Sequence, residues 1–255
     1  MRVLIRRILW RLWFPFLLIA LWQILLSRST NPFFPPPSVI IESARFVVTP
    51  EWISTSVRSS LTTLASGYFI GSFLGIVFGA IIGANETLRE IFTPITNFIR
   101  SIPSVAKIPV IMAILGIGTA TRICAVAVAV LFPVLMATMR AIATTETALV
   151  EYSQLVGYGR IRTLLAVRLP AATGEILAGL HAAVQVAVIV MVVSEMLGSS
   201  IGIGAFIIHS QSSFMIADMW VGILVIGVIG LALNELFLVA ERRIAPWYFI
   251  SKELQ

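Results

Sequence analysis

In a chain of 255 residues that is 58% hydrophobic, the side chains able to do chemistry are few, and their spacing sorts them into groups. Arg100, Ser104 and Lys107 recur at helical intervals within an apolar segment. Further on, His181, Gln185, Val188, Val192 and Glu195 follow at intervals of four, three, four and three, which places them on one helical face. Ionisable groups inside apolar segments are costly unless they face water or a partner, so both stripes are candidate linings of a solute path. A pair of cations at 100 and 107 suits an oxyanion or a carboxylate. Plainer readings stand beside these. Lys107 can snorkel to the membrane surface or pair with Glu86 or Glu90, and His181 and Glu195 can sit near opposite surfaces, wetted or ion-paired. His181 and His209 lie on separate segments with no carboxylate at ligand spacing, so no metal site is expected, and no nucleophile–base motif is visible.

A third group has a different character. Glu151-Tyr152-Ser153-Gln154-Leu155-Val156-Gly157 is followed, after nine residues, by Val167-Arg168-Leu169-Pro170. Glu151 to Leu155 can form a short helix, Gly157 permits a sharp change of direction, and Leu169-Pro170 closes the segment before the next apolar run. Arg160, Arg162 and Arg168 would hold this knob in the cytoplasm. The bland alternative is an ordinary basic loop between two spans.

The elements that must carry these groups are membrane helices. Charged residues make up only 12% of the chain and its mean hydropathy is +0.99, which excludes a soluble globular domain. Each crossing takes about 20 apolar residues, so there is room for five or six and for no separate soluble domain. The expectation is one all-α membrane domain over 1–255, with the cytoplasmic loop at about 144–172. The net charge of +6 comes from cations scattered singly, with no basic face for nucleic acid. Arg2, Arg6, Arg7 and Arg11 precede the first span and Arg242, Arg243 and Lys252 follow the last, so both termini should be cytoplasmic and the spans even in number. The single cysteine, Cys124, has no partner for an intrachain disulfide.

Six spans are expected. They run from about Ile8 to Leu26, read as an uncleaved span in preference to a signal peptide; Val57 to Ala84; Leu88 to Gly118, broken at Pro94, Pro103 and Pro109; Arg122 to Ala143; Glu175 to Leu197; and Met219 to Val239. Ser38 would cap a short surface helix from Val39 to Val48, and 198–218 would be an external or re-entrant piece. Gly67, Gly71, Gly75, Gly79 and Gly83 give the second span a small-residue face, for packing within the molecule or, less simply, for a dimer seam.

The knob resembles the coupling loop of ATP-binding-cassette importer permeases, in which Glu-Ala-Ala, three residues, Gly, nine residues, Ile, one residue and Leu-Pro recur. Spacing is kept in full here, with Tyr152 and Ser153 in place of alanines and Val167 in place of Ile. Arg100-Ser101-Ile102-Pro103, Leu115-Gly116-Ile117-Gly118, and Ser194-Glu195-Met196-Leu197-Gly198 with Gly202-Ile203-Gly204 are similar to the nitrate, sulfonate, taurine and bicarbonate branch, as is the proline-rich run before Ser38. The resemblance implies a six-helix type I permease in a bacterial inner membrane. Its partners would be cytoplasmic ATPase subunits, a second copy of the permease and an external solute-binding protein. Glu151, Tyr152, Ser153, Gly157, Leu169 and Pro170 would couple it to the ATPase. No Gly-x4-Gly-Lys-Ser/Thr loop is present, so ATP and Mg would be bound by the partner and this chain would carry no cofactor and catalyse nothing. The expected cargo is a small anion, handed over by the binding protein and moved by alternating access. Aromatic carboxylates, pyrimidines and flavins are alternatives within the class. Outside it stand a secondary transporter, against which the lack of an internal repeat counts, and a structural membrane protein, which would need no polar stripe.

Overall fold

The structure is a computed structural model that describes residues 2–27 and 31–246, with side chains from residue 13 onward. The expected topology signals at Arg2, Arg6, Arg7, Arg11 and Lys252 fall outside the described side chains. Twelve helices follow one another: α1 Arg2–Leu26, α2 Pro37–Val47, α3 Pro50–Trp52, α4 Arg58–Gly83, α5 Glu86–Ser101, α6 Ile108–Leu115, α7 Thr119–Ala143, α8 Thr147–Leu155, α9 Arg160–Thr163, α10 Leu169–Gly198, α11 Ile203–Ser212 and α12 Ile216–Ile244. No strand occurs among the described residues.

Several of these join end to end. A π turn over Ile53–Val57 links α3 to α4, so the second span runs unbroken from Pro50 to Gly83. Another π turn, Leu164–Arg168, links α9 to α10 and makes a 39-residue helix from Arg160 to Gly198. Four helices are long and apolar enough to cross a membrane: Pro50–Gly83, Thr119–Ala143, Arg160–Gly198 and Ile216–Ile244. The bent pair α5–α6 is a fifth if taken as one span, and α1 contains the expected first span, with an apolar described stretch over Trp13–Leu26.

The glycine stripe of α4 packs within the molecule. A Cβ on Gly67, Gly75, Gly79 or Gly83 would stand 2.6–2.9 Å from the carbonyl oxygens of Ile123, Leu131, Leu135 and Met139, and one on Gly71 would strike that of Ala127. Glycine at every fourth residue meets carbonyls at every fourth residue of α7, so the two helices run in the same direction with backbones in contact. Close approach maximises dispersion contact where lipid offers no hydrophobic drive. Val126, Val130, Val134 and Ile142 fill the seam, each 0% exposed. Helix α10 closes the other side of α7 through Ala183, Ala187 and Val190.

The prolines act unequally. Ile102, before Pro103, is forced into an extended conformation (φ −80°, ψ 120°), and α5 and α6 diverge there by 91° around a 3₁₀ turn over Ser104–Lys107. Pro94 does not break α5, and Pro109 sits harmlessly in the first turn of α6. The short surface helix begins at Pro37, one turn-forming residue before the expected cap. Ser38 is not its cap but is held by Gln23 of α1, whose Oε1 accepts from the Ser38 amide (3.0 Å) while its Nε2 donates to the hydroxyl (3.1 Å). Trp220 of α12 joins this corner by donating to the Phe33 carbonyl at 3.2 Å.

Candidate functional site

The segment expected to couple to an ATPase folds as a protruding knob. Helix α8 ends in a Schellman turn: the Gly157 amide donates to the Gln154 carbonyl (2.9 Å) and the Tyr158 amide to that of Ser153 (2.9 Å). Gly157 takes φ +82° there, a conformation in which any Cβ is strained. Ser153, where the family pattern has alanine, is 6% exposed and faces α9, with its hydroxyl 3.0 Å from that of Thr163. The position therefore requires a small side chain, and serine satisfies it with a partner. Tyr152, in contrast, points outward at 70% exposure, so the molecule itself sets no limit on its size. Glu151 is exposed too.

Leu155, Val156, Ile161 and Leu165 add 59–83% exposed apolar surface around Tyr152, a patch of the kind that marks a protein contact. Arg162 covers the Tyr158 ring at 4.1 Å, and Arg168 donates to the Ala84 carbonyl at the end of α4 (3.4 Å). Behind the knob, a cleft of about 690 Å³ runs to Asn85 and Glu86. One expectation needs correcting. Leu169-Pro170 does not close a loop before the next span, because the chain is already helical from Arg160. Proline at 170 cannot donate to the fourth carbonyl before it and its ring would crowd that group; the π turn just ahead widens the helix and absorbs both defects.

The central stripes are rearranged. The 91° break puts Arg100 at the end of α5 and Lys107 at the end of the following 3₁₀ turn, so they share no helical face. Arg100 is exposed. The Lys107 ammonium lies 5.1 Å from the centre of the Phe132 ring, and forms no ion pair with Glu86, Glu90 or any other described carboxylate. Phe132 is near the middle of α7, about 20 Å along the axis from Thr119 and about 17 Å from Ala143 at 1.5 Å per residue.

On α10, Gln185 is exposed and Val192 half-buried, but Val188 is 9% and Glu195 0% exposed. The expected water-lined face is thus divided, and Glu195 lies inside the molecule. Its Oε2 accepts from the Gly204 amide and the Ser60 hydroxyl, both at 2.9 Å, while Oε1 faces Arg122 Nη1 at 3.8 Å. Ser60 in turn accepts from the Ile203 amide (2.9 Å), and Arg122 donates to the Ile201 carbonyl (3.3 Å) and the Thr119 hydroxyl (2.9 Å). Arg122, at the expected start of the fourth span, is 8% exposed. The signal for this cluster was present in Glu195 followed by Gly202-Ile203-Gly204, two glycines flanking a helix start within reach of a carboxylate. His181 is likewise partnered: Nε2 lies 2.9 Å from Asn234 Oδ1, Nδ1 lies 3.7 Å from Glu241, and the ring stacks on Phe237 at 5.0 Å.

Comparison with known proteins agrees with this geometry. Residues 53–249 match the family model of the binding-protein-dependent transport system inner membrane component. The taurine transport system permease protein TauC of Escherichia coli (strain K12) is 28% identical over 239 residues, covering 91% of this chain and 86% of that one. The putative aliphatic sulfonates transport permease protein SsuC of Bacillus subtilis (strain 168) is 24% identical over 235 residues, covering 91% and 85%. The nitrate import permease protein NrtB of Leptolyngbya laminosa is 26% identical over 239 residues, covering 91% and 85%. Among solved structures, an inward-facing form of the MetNI methionine ABC transporter superposes with a TM-score of 0.60 at 22% identity, covering 79% of this chain and 99% of that one, which establishes a type I permease fold. With the family model matched over residues 53–249 and permeases of ATP-driven importers among its relatives, this chain belongs to the binding-protein-dependent family of inner membrane transport components, the non-catalytic membrane subunits of such importers.

Proposed function

We propose that this permease carries a small anionic solute, such as a sulfonate, nitrate or bicarbonate, past Lys107. The supporting observation is the ammonium group at mid-depth of α7 with only an aromatic ring for company. An ammonium held at that depth of a membrane costs up to about 2.5–3.5 kcal/mol, the figure for a lysine at a helix centre, and a cation–π contact returns about 0.5–2 kcal/mol. The deficit calls for water or an anion at the ammonium, which a solute path supplies. Taurine, aliphatic sulfonates and nitrate, named for the relatives, all carry an anionic oxygen group. The path is taken to run by Arg100, Lys107 and Gln185, with Val188, Val192 and Glu195 forming the wall behind them. Family membership removes the reading as a secondary transporter.

In this reading two copies of the chain pair in the bacterial inner membrane, with both termini and the knob cytoplasmic. An external binding protein delivers the solute. Two ATPase subunits hold ATP and Mg and grip Glu151, Tyr152, Ser153, Gly157, Leu169 and Pro170 or the surface they build. Closure of the ATPases on ATP draws the two knobs together. Because α9, which packs against α8 in each knob, continues into α10 as one helix, displacement of the knob rotates the path-lining face and alternates access between the two sides.

The test is uptake by the reconstituted transporter with its own binding protein. Lys107→Leu should lower anion uptake at least about tenfold, corresponding to about 1.4 kcal/mol of lost attraction, whereas Lys107→Arg should retain most of it. Unchanged uptake by Lys107→Leu would refute the role.

A further inference from the structure

At the end of the bundle away from the knob, one carboxylate joins four elements. Glu195 of α10 receives Gly204 of α11 and Ser60 of α4, and faces Arg122 of α7. Ser60 and Arg122 then hold the Ile203 amide and the Ile201 carbonyl, so the chain on both sides of the α11 start is fixed from neighbouring helices. The fit leaves no slack. Gly202 has φ +128°, and a Cβ there would stand 2.5 Å from the Glu195 carboxyl carbon; one on Gly204 would strike the Val192 carbonyl and stand 2.9 Å from the Glu195 Cβ. Beside this cluster opens a cavity of about 660 Å³, with Thr119 and Arg122 on one wall, Ser199 and Ser200 on another, and Ile208 and His209 contributed by α11.

We propose that Glu195 is a positioning residue for solute entry: its buried carboxylate holds the first turn of α11 against α4, α7 and α10, and so fixes the wall of the vestibule on the outer side. The inference rests on the orientation and importer reading given above. Arg122 serves as the counter-charge, because an ionised carboxylate enclosed at 0% exposure is stable only when its charge is met by hydrogen bonds and an opposite charge. Since the pair is internally neutralised, the cavity does not bind anions through Arg122; the cluster shapes the entrance and leaves capture to groups deeper in.

Glu195→Ala would leave the Gly204 amide and the Ser60 hydroxyl without their acceptor and Arg122 without its counter-charge. Glu195→Gln keeps an oxygen for the two donors but leaves Arg122 without its counter-charge. The measurements use the transporter assembled with its ATPase in sealed vesicles, with Cys124→Ala and Ala205→Cys. Ala205 is 0% exposed on α11. An impermeant thiol reagent added outside should label Ala205→Cys at least about tenfold faster with Glu195→Ala than with Glu195 intact, and maximal uptake should fall about tenfold. Glu195→Gln, which keeps both accepted bonds but not the counter-charge of Arg122, should fall between intact Glu195 and Glu195→Ala in both measurements. If Glu195→Ala does not assemble, Ser60→Ala, which removes one donor to Glu195 and the acceptor of Ile203, should raise labelling by a smaller factor. Equal labelling in all variants would overturn the proposal. So would a Glu195→Gln variant that stays protected yet transports as poorly as Glu195→Ala, since the charge itself would then act on the solute. Faster labelling without any uptake of tested anions in the unmodified chain would instead count against the importer cargo and leave the positioning role standing.

Discussion

Replacing Gly157 tests the coupling knob most directly, because the structure separates its two possible constraints. Nothing lies within 4 Å of a Cβ built at Gly157, so a side chain there meets no obstacle inside the molecule. The cost is torsional: at φ +82° an alanine loses about 1–2 kcal/mol, and a β-branched valine stands at or above the upper end. Relieving that strain means opening the Schellman turn and losing the Gly157 and Tyr158 amide bonds. A shift of 1–2 kcal/mol lowers the ratio of docking-competent to opened turns by about 5–30-fold, so that from near balance the competent fraction falls by about 3–15-fold. Apparent affinity for the ATPase falls by the same fraction. Gly157→Asn, which tolerates a positive φ, should lose far less. Co-purification of the ATPase and binding-protein-stimulated hydrolysis in proteoliposomes, measured for Asn, Ala and Val in turn, should decline in that order. Full activity of the valine variant would refute the coupling role. Equal loss for asparagine and valine would refute the torsional reasoning and place the constraint in the partner's cleft.

Three further outcomes are expected. Gly79→Leu should force α4 from α7, since even its Cβ would stand 2.6 Å from the Leu135 carbonyl; overpacking of about 1–3 kcal/mol or more should appear as a lower Tm of the detergent-purified permease. Ser153→Ala should cost about 1 kcal/mol or less and preserve transport, whereas Ser153→Leu should displace α8 from α9 and abolish ATPase binding. In a Cys124→Ala background, Gln185→Cys should react with a small water-soluble thiol reagent at a rate that changes when ATP is trapped. Ala187→Cys and Val190→Cys, at 0% and 1% exposure, should stay protected in every state, and reaction at all three would mean that α10 does not keep this face inward.

The four spanning helices were legible because each is a long apolar run flanked by glycine, proline or charge. The glycine stripe was legible as a packing face since its period of four is a property of the sequence alone. Its partner was not: the carbonyls it meets belong to backbone 56 residues away, and any sequence at those positions offers the same oxygens. The coupling signature could be found from spacing, yet the inward turn of Ser153 depends on Thr163, which only the fold brings near. The sequence could not choose between a wetted and an ion-paired Glu195 for a related reason. A polar stripe of period 3.6 is the same in sequence whether its members face water or a buried arginine, and Arg122 is 73 residues distant in the chain. Lys107 and Arg100 were separated by Pro103, whose breaking effect was visible, although the direction of the 91° bend was not.

The unbroken helix from Arg160 to Gly198 gives the coupling signature a reason for its fixed count of residues. Each residue added or removed between Arg160 and Gln185 turns everything beyond it by about 100°. A permease lengthened by one residue there would keep its knob, its membrane span and its hydropathy, and would present a different face of α10 to the solute for the same grip by the ATPase. Chimaeras that graft the knob of one importer onto the membrane body of another should therefore succeed or fail by angular phase, whatever their local sequence identity. The π turn at Leu164–Arg168 is the place where such a phase error could be introduced or repaired, because converting it to an ordinary α turn alters the count by one while leaving both ends intact.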